Sequence, residues 1–260
     1  MADIDCVHRT VHLWNGSSRN DPLTPAEIAA RQIEAAHALV FPGQVSNDGH
    51  RRDDVAALAS QLNSDALLVR PTGPDETEME LPPSLIQPAA CGIADEWRAQ
   101  LEPVTVPRSR RDSDHGVNSV LWRARRPLHP ERLADALGTV MCGVVRSRGH
   151  LWLSSRPDSV VTWRSAGPHL ELREAGSWLK AGAQHAWDAV SPQRRTLASW
   201  FWHDYYGERR NEITFTGIDL DAQRIRSTLA AALLTDAELS LGRDGRTSTP
   251  DPLLSDGDPP

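Results

Sequence analysis

Residues 116–133, GVNSVLWRARRPLHPERL, change periodicity half-way along. Residues 117–125 read as a strand. His129-Pro130 then opens a helix in which Leu133, Ala136, Leu137 and Val140 recur at i, i+3, i+4 and i+7. Downstream, residues 144–156 and 159–164 read as successive strands, and residues 169–174 alternate again. Residues 211–218 form a β-branched and aromatic strand. Asp221 is placed to cap a last helix whose inner face carries Ile225, Leu229, Ala232 and Leu233. The order β-α-β-β-β…β-α predicts an α+β two-layer domain over residues 116–239. Residues 240–260 hold little apolar surface and are expected to be a disordered tail.

Upstream the texture differs. Thr24-Pro25-Ala26-Glu27 combines a capping box with proline at the first helical turn, followed by Ala29, Ile33 and Ala36 on one stripe. ALVF (38–41) reads as a short buried strand. Val55, Leu58 and Leu62 mark a second helix that Asn63 ends, and ALLVR (66–70) reads as another strand. With a candidate strand at residues 3–8, residues 1–70 have the rhythm of part of a parallel α/β domain. Proline, glycine and mixed charge over 71–115, with one short helix near 93–101, mark a linker.

Of the 28 basic residues one, Lys180, is lysine, leaving 27 arginines. A phosphate-binding P-loop needs lysine after glycine and before Ser or Thr, and Lys180 in SWLKAGAQ meets neither condition. Arginine's planar fork is a poor stand-in for that point charge. The net charge of −7 argues against a protein that coats nucleic acid, although arginines cluster locally. Three scattered cysteines fit a reducing compartment. No apolar run nears the roughly 20 residues that span a bilayer, and no signal-like start is present. The expected location is the cytoplasm, with no membrane partner.

Taken in order, GVNSVLWRARRPLHPERL, GHLWLSSRPDSVVTW (149–163), GERRNEITFTGIDLD (207–221) and LLTDAEL (233–239) resemble the C-terminal domain of CobW-type metal-handling GTPases. AARQIEAAHALVF (29–41) is similar to the helix and strand leading into that family's guanine-recognition motif. Pro42, Gly43, Gln44 and Val45 stand where the family has Asn-Lys-x-Asp, so no carboxylate reads the base. The resemblance implies an α/β remnant of a P-loop GTPase domain over 1–70, then an α+β two-layer CobW C-terminal domain. It implies metal homeostasis, zinc above all, and no bound nucleotide. The expected role is a non-hydrolysing adaptor. The alternative is the C-terminal part of a GTP-hydrolysing zinc metallochaperone. One branch of the family is tied to zinc limitation and to ribosome hibernation, so the implied partners are a protein or metal client, a ribosome-associated factor among them.

Several residues are candidates for such roles. Cys6, His8 and His12 (with Asp5 beside them) are the compact set of possible zinc ligands, against the plainer reading of a buried cysteine with surface histidines. Arg123 with Arg125, and Arg146 with Arg148, would line one patch for a phosphate or carboxylate partner if their strands are neighbours, the alternative being a face balanced by Glu171 and Glu212. Arg209 and Arg210 form a further basic pair. Of the tryptophans, most read as core bulk, while Trp200 and Trp202 are the expected exposed docking residues. His203 and Asp204 invite a catalytic reading, but no nucleophile has a matching spacing. A half-sheet with an open edge also predicts self-association.

Overall fold

Alternating residues give the larger sheet one apolar face and one polar face, and helices cover both. The computed structural model describes residues 12–14, 24–41, 49–69, 104–105, 115–182, 184–242 and 249–254. In chain order the elements are β1 (His12–Trp14), α1 (Pro25–Ala35), β2 (Ala38–Val40), α2 (Gly49–Leu62), β3 (Leu67–Val69), β4 (Val117–Ala124) and α3 (Pro130–Val140). There follow β5 (Val144–Leu151), β6 (Ser159–Ala166), β7 (His169–Ser177), α4 (Gln184–Asp188), α5 (Pro192–Trp200), β8 (Asn211–Ile218), α6 (Ala222–Ala231) and α7 (Asp236–Ser240).

Six strands form one sheet in the order β1-β7-β6-β5-β8-β4. All its pairs are antiparallel except β1, which lies parallel to the β7 edge. The apolar face presents Val120 and Trp122, Ile213 and Phe215, Trp163, Leu170 and Leu172 to α3 and α6. Leu133, Leu137 and Val140 of α3 and Ile225 and Leu229 of α6 complete that core. Burying each such side chain stabilises the fold by roughly 1.5–3 kcal/mol. Gly149 lets the sheet close tightly: a Cβ there would lie 2.0 Å from the Glu212 carbonyl oxygen. Ser147 Oγ accepts from Trp163 Nε1 at 2.7 Å, so the buried indole nitrogen has its partner. Asp221 caps α6 through the Arg224 N–H at 2.9 Å, as the sequence predicts.

Residues 24–69 carry the second, two-stranded sheet, in which β2 and β3 run parallel around α2. Thr24 caps α1 by accepting from the Glu27 N–H at 3.2 Å, with Pro25 in the first turn. Asn63 does more than end α2. Its Nδ2 donates to the Ile33 and Ala36 carbonyls at 2.9 and 2.8 Å, closing α1 as well.

Several differences from the sequence reading have physical causes. β1 joins the large sheet, so residues 1–70 do not make a single separate sheet. The 3–8 strand and the 93–101 helix lie outside the described residues. The expected disordered tail is corrected at 249–254. Leu253 is buried in the main core with Leu254 against it, and Asp251 folds the turn by accepting from both their N–H groups at 3.0 and 3.1 Å. Two leucines and one turn-forming aspartate suffice to dock a segment whose average composition is polar. Val104, inside the expected linker, is likewise buried, against Trp152, Val160 and Trp178. Among the described residues no helix is long and apolar enough to cross a membrane.

Candidate interaction surfaces

The polar face of the large sheet holds most of the charge that the sequence singles out. Register places Arg123 opposite Glu212 and Glu212 opposite His150. It also places Arg148 opposite Arg164, and Arg164 opposite Glu171. β8 lies between β4 and β5, so Arg123 and Arg125 do not share a patch with Arg146 and Arg148. The single four-arginine surface becomes two separate networks.

In the first network α1 supplies the counter-charges. Arg146 Nε and Nη2 donate to the two Glu34 oxygens at 2.8 and 3.0 Å, and its Nη1 donates to Glu27. Arg148 meets the same Glu34 at 2.8 Å. Arg146 is 4% exposed, so this is an enclosed ion cluster rather than an open basic patch. Burial alone pushes the Glu27 carboxyl up, but the Arg146 charge and hydrogen bond, with Arg31 beside it, carry it below its ordinary value. Burial pulls Arg146 down, and its bonds to Glu34 and Glu27 more than reverse that. Arg148 is held below its ordinary value by burial first; Glu34 pulls it back up, and the Arg146 and Arg164 charges add to the lowering.

The second network joins β4, β8 and α5. Glu212 accepts from Arg123 Nε at 2.6 Å and from Arg210 Nε at 3.0 Å. Both guanidinium groups lie over the Phe201 ring, at 5.7 and 4.0 Å from its centre. Glu208 is wholly buried, pairs with Arg194 and accepts from the Leu179 N–H at 2.6 Å. Arg210 is buried too, and burial lowers its pKa against the pull of Glu212. Arg125 donates to the Phe201 carbonyl at 2.5 Å, and Arg209 lies 5.3 Å over the Trp152 ring. At the centre sits His150, fully buried, with neither ring nitrogen hydrogen-bonded and the Trp178 ring edge-on at 5.8 Å. Burial first, and then the Arg210, Arg194 and Arg123 charges, hold it well below the usual imidazole range.

The third feature is exposed. Ser191 caps α5 through the Arg194 N–H at 3.1 Å with Pro192 in the first turn, and the helix delivers Trp200 to its C-terminal end, 77% exposed. His203 and Gly207 then close a tight turn through paired backbone bonds of 2.8 and 2.6 Å. That turn carries Tyr205 at 65% exposure, while Trp202 packs 5.6 Å from Trp187. Lys180 lies 5.4 Å over the Trp202 ring, so the chain's one lysine belongs to this ledge. His203 Nδ1 accepts from the Tyr205 N–H at 3.1 Å and serves the turn, not a nucleophile. Trp122, Trp152, Trp163 and Trp178 are core, and Trp200 and Trp202 are exposed, as the sequence expects.

Cys6, His8 and the side chain of His12 lie outside the described part of the structure. Among the described residues no group of three His, Cys, Asp or Glu side chains could hold a metal ion. Sequence reasoning missed Glu27, Glu34, Arg194, Glu208 and His150. Glu27 and Glu34 are seven apart, two turns on one helix face, and that spacing was the available signal.

Residues 117–233 match the cobalamin synthesis protein cobW C-terminal domain. The chain is 32% identical over 237 residues to a protein of Mycobacterium tuberculosis named zinc chaperone, covering 91% of this chain and 56% of that one. It is 30% identical over 241 residues to the zinc-regulated GTPase metalloprotein activator 1 of Dictyostelium discoideum, covering 91% and 50%. The chain thus spans about half the length of these curated relatives. Its structure also aligns with the Zn(II)-bound YjiA GTPase of E. coli at a TM-score of 0.37 and 12% identity, over 80% of this chain and 55% of that one.

Proposed function

Because residues 117–233 belong to the CobW C-terminal domain family, we propose that this chain is a docking module of zinc homeostasis that binds a protein partner without hydrolysing GTP. The observation that carries the reading is the exposed aromatic ledge of Trp200, Trp202 and Tyr205. Large aromatic side chains left in water at the end of a capped helix supply the rigid anchors that interfaces use most. Arg123, half-exposed beside Phe201, adds a cationic rim. Lys180 sits against Trp202 and donates to the Asp204 carbonyl at 3.4 Å, which gives it a local structural task in place of a phosphate. Zinc enters through the relatives, which are named a zinc chaperone and a zinc-regulated GTPase metalloprotein activator.

A second reading is favoured by residues 24–69. Parallel strands joined by a helix are the local plan of nucleotide-binding domains, and β2-α2-β3 follows it. On that reading the chain is the C-terminal part of a GTP-hydrolysing zinc metallochaperone. Calorimetric titration of the 260-residue protein with GTP and Mg²⁺, and separately with Zn²⁺, separates the two. The docking reading expects no heat of GTP binding. Saturable micromolar binding of GTP overturns it in favour of the second.

A further inference from the structure

We propose that the Arg146–Arg148–Arg164 cluster on the polar face of the large sheet is a receptor for an acidic helix of a partner protein, and that α1 fills it as a displaceable internal occupant. The inference goes beyond the docking reading, for it uses neither the aromatic ledge nor any nucleotide or metal.

The α1 helix lies over β6, and α2 lies over β4 and β8, so residues 24–69 cover the polar face of the sheet. What they bury there is small or charged. The buried residues of α1 are Glu27 and Ala30, while Ile28 is 44% exposed. The buried residues of α2 are Ala56, Ala57, Ala59 and Gln61. Gln61 meets Ser119 at 3.0 Å, and Ser119 meets Thr216 at 2.8 Å. Among the described residues, neither apolar cluster of the large-sheet unit includes a residue of 24–69. An interface of this texture resembles those between partners that separate, not a continuous core.

Specificity comes from the ion cluster. Arg146 and Arg148 of β5 bind Glu27 and Glu34 of α1, Arg31 of α1 also binds Glu27, and Arg164 lies opposite Arg148 with Glu171 across the next strand from it. Taking away a carboxylate strands a buried arginine, and that cost is far larger than the net worth of the pair. The cluster therefore rejects any neutral helix and accepts one that repeats the pattern of Glu27 and Glu34, two carboxylates seven residues apart on one face. Exchanging α1 for such a helix preserves every ion pair, so the exchange is close to balanced.

The test uses the full chain in wild-type form and as the Glu27→Gln/Glu34→Gln double variant, titrated with a synthetic peptide of residues 24–36. A second peptide has both glutamates replaced by glutamine. The double variant is expected to bind the acidic peptide at least tenfold more tightly than wild type does, and the glutamine peptide not at all. Equal binding of both peptides, or none to a folded double variant, overturns the proposal. If the double variant does not fold, hydrogen exchange of wild type decides. Separable docking requires amides of 24–36 to exchange at least tenfold faster than those of β5 and β8, and acidic peptide to widen the gap. Equal protection in α1 and in the central strands overturns the proposal.

Discussion

His150 is fully buried among three arginines with both ring nitrogens unpartnered, and acid therefore acts on the fold through it first. In the folded protein the ring stays neutral to well below its ordinary value of 6.5. The unfolded chain takes up the proton as pH falls through 6.5. The stabilising difference is thus complete above that pH and shrinks below it by about 1.36 kcal/mol per unit. Between 6.5 and about pH 5 the loss amounts to about 2 kcal/mol, or roughly 4–8 °C in Tm for a chain of this size. The carboxylates do not confuse this window. Glu27 titrates below its ordinary 4.5, and Glu238, where hydrogen bonds from Thr235 and Arg132 outweigh the upward push of burial, titrates at about 2. Urea unfolding followed by tryptophan fluorescence, at about pH 7.5, 6.5 and 5, measures the slope. The His150→Leu variant removes the titration together with two unsatisfied nitrogens. It is expected to be as stable as wild type at about pH 7.5, or more so, and to lose about 2 kcal/mol less on acidification. Identical pH profiles for the two proteins refute the argument.

Three further outcomes follow from particular contacts. Glu208→Gln leaves Arg194 buried without its counter-charge, and urea unfolding should record a loss of about 3–5 kcal/mol; a loss under about 1 kcal/mol contradicts the pairing. Gly149→Ala drives a methyl into the Glu212 carbonyl and should cost about 3 kcal/mol, with loss of amide protection in β5 and β8. Leu253→Ala should lower stability by about 2–5 kcal/mol, because Leu253 is 1% exposed in the main core. A neutral result would mean that residues 249–254 do not dock.

The domain over 116–239 is legible because its signals are local and agree with one another. The helix periodicity of Leu133, Leu137 and Val140 and the Asp221 cap each point to an element, and each element forms. Thr24-Pro25 at the start of α1 belongs to the same class. Strand order is not local. Nothing in residues 117–125 or 144–156 reveals that β8, Asn211–Ile218, lies between them, and the four-arginine patch fails on that one fact. Residues 249–254 escape notice because two leucines vanish in an average over a polar segment. His150 is illegible for another reason: in a strand its side chain faces either water or a neighbour, and only packing decides which.

The arginine-rich, lysine-poor composition takes on a different meaning once the polar face is seen. At sequence level it serves to exclude a P-loop. In the fold it is what the buried ion networks require. Arg146 uses three nitrogens on two carboxylates. Arg194 places two on Glu208, and Arg123 and Arg210 grip opposite oxygens of one Glu212. A lysine ammonium is a single point of charge at the end of a flexible stem, and it cannot divide its donors between two acceptors in fixed planes. A sheet with one apolar face needs the other either wetted or fully paired, and here glutamates from α1, β8 and the turn before β8 do the pairing. Only the share supplied by α1 comes from outside the matched domain. That share is also the one a partner of the right charge pattern is able to replace.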